Sequence, residues 1–336
     1  VRPVAAGVCH SDVHFMNGSY PYMLPTILGH ESAGVVEAVG KDVTYVKKGD
    51  HVITCLSAFC GHCEKCITGH LSLCASPEVA RKGDEQARIT QNDKPIHQFL
   101  NLSSFAEMML IHEHALVKIK EEMPFDRAAL IGCSTTTGVG AVFHTAGVEP
   151  GSKVAVVGCG GVGLACINGA AIAGAGQVIA IDMVESKLEI AKSLGATDVI
   201  NASEVDDVPA AVRDLTGGGV DFAVELAGTI PAMETAYAII ARGGAVVTAG
   251  LSPAGAQFSF EHADLVSNEK SVLGSYMGSC VPVRDIPRFI HAFQRGDMPV
   301  DRLIDRHISL DELNDGFDRL DRGDTIRQIL APHEFQ

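Results

Sequence analysis

Two patterns of apolar and polar positions divide the chain near residue 134. Before that point apolar residues come in short runs broken by Gly, Pro and Asp, and helical periodicity is weak. Residues 1–8, 33–40, 43–46, 51–55, 105–110 and 115–119 read as strands, with turns such as Gly49-Asp50 between them. This spacing predicts a small, mostly antiparallel β domain, a partly open barrel. Residues 17–25, with Gly18, Pro21 and Pro25, read as a surface loop. Residues 75–104 are polar and irregular, including the run 81–85. A stretch of that length predicts a lid, an interface or a channel wall. A helix is expected over 124–130, with Asp126 near its start.

The second pattern alternates buried strands with helices. Residues 138–146 read as a helix, and 153–157 form a continuous apolar run of the kind buried on both faces of a parallel sheet. That run leads into Gly158-Cys159-Gly160-Gly161-Val162-Gly163 and a helix over 164–173. A second buried strand, 177–181, ends on Asp182. Helices at 189–194, 208–216 and 231–241 then alternate with strands at 198–200, 221–226 and 245–251, and 271–275 closes the sheet. The expected fold is α/β, a doubly wound parallel sheet of Rossmann type beside the mainly β domain. From residue 283 the tail is helical with Gly and Asp breaks, and 304–308 and 326–330 read as strands returning to the first domain. The expected division is 1–134 with 276–336, and 135–275.

Composition narrows the class of function. The 336 residues exceed one small core, so two domains are expected. A formal charge of −15 argues against general affinity for nucleic acid or an acidic membrane surface, which need a basic face. Small molecules and other subunits are the expected partners. No stretch reaches the roughly 18 apolar residues of a membrane span, and no signal peptide is evident. The expected location is the cytoplasm. The chain opens on Val1 in a strand already under way, so an N-terminal strand or hairpin is expected to be missing. Ten cysteines, four of them bunched, point to metal binding over disulfides in a chain of this length.

Cys60, Cys63, Cys66 and Cys74 have the spacing C-x2-C-x2-C-x7-C. Four thiolates form a closed tetrahedral zinc site, which stabilises a lobe and leaves no position for substrate. An iron–sulfur cluster also uses four cysteines, but no second cluster set follows and the ferredoxin-type Pro is absent. The run Gly158, Gly160, Gly161, Val162, Gly163 follows a strand and opens a helix, with Asp182 nineteen residues after Gly163. Helix-start N–H groups receive a pyrophosphate, and the Asp182 carboxylate accepts the ribose hydroxyls and repels a 2′-phosphate. NAD is the expected cofactor, with Lys187 flanking the same ribose. The densest cluster of reactive side chains is Cys9-His10-Ser11-Asp12-Val13-His14, which taken alone could be a surface turn.

With those motifs in order, the chain resembles the zinc-dependent alcohol dehydrogenases of the medium-chain dehydrogenase/reductase family. The resemblance rests on Gly7-Val8-Cys9-His10-Ser11-Asp12, Gly29-His30-Glu31, the four-cysteine lobe, Gly132-Cys133, the glycine turn with Asp182, and Ile326-Arg327. It implies a GroES-like catalytic domain and a catalytic zinc held by Cys9, His30 and Cys133, giving two zinc ions per chain. Two thiolates and an imidazole leave one tetrahedral position open, as a catalytic zinc requires. The implied reaction passes a hydride from a zinc-bound alkoxide to NAD. Asp12 is expected to orient His30, and Glu31 to modulate coordination or to be a buried, paired carboxylate. Ser11 is expected to take the alcohol proton and pass it through a cofactor ribose hydroxyl to His14, since an imidazole titrates near neutrality. His10 and Arg327 match positions used against the pyrophosphate.

Substrate is less legible. Leu56, Phe105 and Leu251 fall where the family lines an apolar channel, which suits a primary alcohol or aldehyde. Glutathione-dependent formaldehyde dehydrogenases of the family carry an arginine four positions after the last lobe cysteine; here that position is Glu78. The long 75–104 segment resembles dimeric relatives, so a homodimer through the edge near Ser271 to Met277 is expected. His51, His62, His70 and His112 are read as surface or structural. Beside alcohol dehydrogenation stand a thiol-adduct formaldehyde dehydrogenase and a non-catalytic zinc- and NAD-binding protein, the last expected to have lost ligands that this chain retains.

Overall fold

The computed structural model describes residues 1–79 and 86–332, so the polar run 81–85 lies outside the described residues. The chain forms two compact units. One holds Val1–Ser134, Cys280–Arg295 and Val300–Gln336; the other holds Thr135–Ser279 and Gly296–Pro299.

The first unit is built on strands β1 (Arg2–Val8), β3 (Glu31–Val35), β4 (His51–Thr54), β7 (Leu116–Ile119), β14 (Ile304–Ile308) and β15 (Arg327–Leu330). They form one sheet in the order β14-β15-β1-β3-β4-β7, so the tail strands do add to the N-terminal sheet. A smaller sheet joins β2 (Thr26–Ile27), β6 (Lys94–Gln98) and β5 (Ile89–Gln91). Its β5–β6 hairpin turns through Asn92 and Asp93, both at positive φ, so residues 86–104 are more ordered than their composition predicts. One apolar core packs Ala6, Val8 and Val13 against Phe105, Phe317, Leu320 and Leu330.

Two expected strands fail here, each for a tertiary reason, and one helix was not expected. Residues 43–46 form no strand, because the N–H groups of Thr44 and Tyr45 donate to the Glu113 carboxylate and not to a neighbouring strand. Residues 105–110 form no strand either. Phe105 donates to Leu28, and Met109 and Val1 exchange one reciprocal pair of bonds, which are isolated ties and no ladder. Conversely, His10–Met16 is a helix that the pattern did not suggest. It has only seven residues, too few for a period to show, and the Asp12 carboxylate accepts the Cys9 N–H at its start (3.2 Å).

The second unit is a parallel sheet of β8 (Lys153–Val157), β9 (Gln177–Asp182), β10 (Asp198–Asn201), β11 (Val220–Glu225), β12 (Ile240–Thr248) and β13 (Ser271–Gly274). Its order is β10-β9-β8-β11-β12-β13. The winding reverses between β8 and β11, which makes their carboxyl ends the switch point where such sheets take ligands. The helix Gly161–Ile172 is buried from Gly163 to Ala170, as expected of a helix apolar on every side. Ala155, Val157, Ile179, Ala223, Ile239 and Val246 are core residues beneath the helices. Among the described residues no helix is long and apolar enough to cross a membrane.

Candidate functional site

The four lobe cysteines converge on one point. Cys60 and Cys66 sulfurs are 3.9 Å apart, Cys63 and Cys66 3.5 Å, and Cys63 and Cys74 3.9 Å. A tetrahedron with Zn–S bonds of roughly 2.3 Å has edges of about 3.8 Å. The donor set and its spacing therefore fit zinc. The lobe also supplies backbone dipoles. N–H groups of His62 and Cys63, with neighbouring thiols, pull the Cys60 thiol down to about 6 against burial, whereas burial pushes Cys66 up to about 12. Glu78 is exposed and pairs with His62 at 3.1 Å.

The second donor set comes from three distant segments. Cys9 follows β1, His30 precedes β3, and Cys133 sits in a π-helical turn, Ile131–Thr135, that continues the helix Phe125–Leu130. Such i→i+5 turns recur at functional sites, where they re-aim side chains. The three ligand atoms are buried and lie within 4.8 Å of one another. Asp12, fully buried, ties two of these segments together. Its Oδ1 accepts from Gly29 N–H (3.0 Å) and faces His30 Nδ1 (3.2 Å), while Oδ2 accepts from Cys9 N–H. With Nδ1 committed to Asp12, His30 presents Nε2. Burial would lower the His30 pKa, and the Asp12 carboxylate outweighs it, so imidazole basicity is raised well above its usual range.

Electrostatics favour thiolate at Cys9. The Cys133 thiol hydrogen-bonds Cys9, and together with Arg327 and His30 it holds Cys9 well below the ordinary thiol range despite burial. The same bond, with burial, raises Cys133. Arg327 is 2% exposed, and its Nη2 donates to the Cys9 sulfur at 3.8 Å. Its Nε stands 3.6 Å from Glu31 Oε2. Glu31 Oε1 accepts from the N–H (3.0 Å) and hydroxyl (2.7 Å) of Ser134, the residue after Cys133. Burial raises Glu31, and Arg327 only partly offsets it. Three donors with a buried carboxylate and guanidinium around them fit a zinc whose fourth position is open.

In the second unit the glycine turn has the form a pyrophosphate needs. Gly158 has φ +97, and a Cβ there would stand 2.7 Å from Ala227 N. A Cβ on Gly163 would stand 1.8 Å from Gly158 O, so only glycine lets helix and strand approach. At Gly160 a Cβ would meet no protein atom, which is a cradle open at the helix start. Gly161 and Val162 open that helix. Asp182, at the end of β9, ties the turn in place: Oδ2 accepts from Cys159 N–H (2.6 Å), Oδ1 from Met183 (2.8 Å) and Val184 (3.0 Å). Lys187 lies on the following helix, Glu185–Ser193.

The remaining expected residues are placed as follows. Ser11 Oγ lies 3.7 Å from the Cys9 sulfur. His14 stacks on Tyr20 with centroids 6.1 Å apart, and its Nδ1 is buried with no hydrogen-bond partner among the described residues. His10 is exposed at the start of its helix. Arg327 is buried beside Cys9 and Glu31. Phe105 is buried and packs on Phe317 (6.0 Å). Leu56 is half-buried after β4, and Leu251 is exposed. Two residues were not anticipated, Ser134 and Gly7, which seat the Glu31 carboxylate. The glycine directly across the strand pair from a buried acid was the available signal.

Comparison with known proteins agrees with this geometry. The family model "Alcohol dehydrogenase GroES-like domain" matches residues 1–121, and "Zinc-binding dehydrogenase" matches 161–295. The chain is 36% identical to alcohol dehydrogenase class-3 of Pisum sativum, covering 99% of this chain and 90% of that protein. It is 37% identical to S-(hydroxymethyl)glutathione dehydrogenase of Escherichia coli, covering 98% and 91%. The crystal structure of benzyl alcohol dehydrogenase from Acinetobacter calcoaceticus superposes with a TM-score of 0.90 at 34% identity, covering 98% of this chain and 91% of that one. The chain belongs to the zinc-dependent alcohol dehydrogenases of the medium-chain dehydrogenase/reductase family.

Proposed function

We propose that this chain oxidises a primary alcohol to an aldehyde, or runs the reverse, with NAD as the hydride carrier. The observation that carries the reading is the buried donor set Cys9, His30 and Cys133, three ligands and not four, beside a lobe of four. Zinc held by those three would act as a Lewis acid that makes an alcohol hydroxyl more acidic. The protein's own groups do the rest. Asp12 fixes the His30 tautomer, Ser11 Oγ takes the alcohol proton as it gives up its own, and His14, whose Nδ1 is buried without a hydrogen-bond partner among the described residues, is the base that receives the proton leaving the site. Arg327 and Glu31 balance charge around the thiolates. Asp182 supports NAD over NADP, since a 2′-phosphate beside that carboxylate would be repelled.

NADH formation should be followed with primary, secondary and aromatic alcohols, with and without thiols. Turnover without thiol is expected, and Cys133→Ala should abolish turnover while NAD binding persists. Retained turnover in that variant would refute the assignment. Likeness to S-(hydroxymethyl)glutathione dehydrogenase supports a second reading, oxidation of a thiol adduct, which an absolute thiol requirement would establish. Against the glutathione form stands Glu78, an acid paired with His62. A cytoplasmic homodimer completes the proposal. It is supported by β13, a sheet-edge strand with all four residues exposed, and sedimentation as a monomer or tetramer would sink it.

A further inference from the structure

Three residues of the segment 99–103 are left-handed and none is glycine: Leu100 (φ 49), Asn101 (φ 61) and Ser103 (φ 60). L-residues rarely take this conformation, and a run of them persists only where the surroundings over-determine it. Two hydroxyls do so. Tyr22 accepts a hydrogen bond from Leu100 N–H (3.1 Å) and donates to Gln98 O (3.0 Å). Ser103 accepts from Phe99 N–H (2.8 Å) and donates to Ile27 O (2.7 Å). Just beyond, Ser104 donates to Gly29 O and Phe105 to Leu28 O. The turn is thereby stitched to the residues that lead into His30.

The turn presents Phe99, which is fully buried. Its ring meets the His30 ring edge-on at 5.8 Å, Tyr22 at 5.3 Å and Phe15 at 4.8 Å. His30 hydrogen-bonds Asp12 at Nδ1 and also Cys9, contacts at the ring edge that leave the imidazole able to swing about the line joining them. An aromatic edge against the ring removes the swing.

We infer that Tyr22 is a positioning residue for His30: its hydroxyl holds the left-handed turn, the turn holds Phe99, and Phe99 holds the imidazole. The inference rests on Cys9, His30 and Cys133 forming a zinc site. Tyr22→Phe keeps the ring and its packing and removes only the hydroxyl. Leu100→Gly in that background supplies a residue that adopts positive φ without penalty, which makes the hydroxyl dispensable.

The test is release of zinc from the holoenzyme to a colorimetric chelator, with the phase belonging to the triad identified by its absence in Cys133→Ala. Tyr22→Phe should release the triad zinc about three- to tenfold faster, the scale of a lost hydrogen-bond pair, and leave the lobe zinc unchanged. The double variant should return most of the way to the parent rate. An unchanged triad phase, equal acceleration of both zincs, or no rescue by Leu100→Gly would each overturn the inference. One zinc per parent chain would overturn the zinc-site reading beneath it, and that is read before any variant is made.

Discussion

A Cβ at Gly7 would stand 2.6 Å from Oε2 of Glu31, its partner across the β1–β3 pair. Glycine at that position lets the buried carboxylate lie between Ser134 and Arg327. Gly7→Ala should therefore push Glu31 away from both. We expect a loss of about 1–3 kcal/mol in denaturant unfolding, as for other overpacked cores, and a fall in kcat with NAD affinity unchanged. Parent-like stability and turnover would show that Glu31 has room to move.

Asp12 makes three hydrogen bonds from a fully buried position, one to the Cys9 N–H and two to the segment that carries His30. Asp12→Asn should weaken zinc at the triad about 10- to 100-fold, because the His30 ring loses the anion that orients it. Competition with a chelator of known affinity measures this, and the lobe zinc serves as the internal control.

Two glycines of the nucleotide turn should behave in opposite ways. Gly163→Ala puts a Cβ 1.8 Å from Gly158 O and should lower Tm as well as NADH binding. Gly160→Ala meets no protein atom, so Tm should hold while NADH binding, followed by fluorescence, weakens at least about tenfold, since the methyl occupies space needed by the phosphates. Intact binding in Gly160→Ala would remove the pyrophosphate from that cradle.

Acid sensitivity should be traceable in part to Asp126. Burial would raise its carboxyl, but Arg127 and then His307, 3.1 Å away, outweigh burial and hold it below the usual carboxylate range. A depressed carboxyl contributes stability above its unfolded pKa of about 4 and loses it as pH falls through the folded value. Asp126→Asn should cost about 1–2 kcal/mol at pH 7, with the gap from the parent closing below about pH 4. A gap constant with pH would mean that packing, and not the charge, is what Asp126 supplies.

How much of this was legible along the chain depends on where the parts lie. The glycine turn with Asp182 could be read because strand, turn, helix and second strand are consecutive, so their geometry is local. The lobe cysteines are likewise neighbours, and their spacing alone brings the sulfurs together. Residues 43–46 and 105–110 are short, mainly apolar runs as strands are, and they are not strands. An extended segment needs a partner edge, and which edges are free is a property of the whole sheet.

By itself, then, the order of residues determined two zones of different periodicity, a four-thiolate lobe and a dinucleotide turn, all from interactions a few residues in range. Cys9, His30 and Cys133 drew their meaning from a family resemblance, and only the tertiary structure brought their ligand atoms within 4.8 Å. It alone decided that Gly7 makes room for Glu31, that Arg327 sits beside the Cys9 sulfur, and that Tyr22 reaches the turn holding Phe99 against His30. The physical reason is that burial creates these relationships: charge pairing, close approach and ring packing act through space, between residues that the chain order keeps far apart.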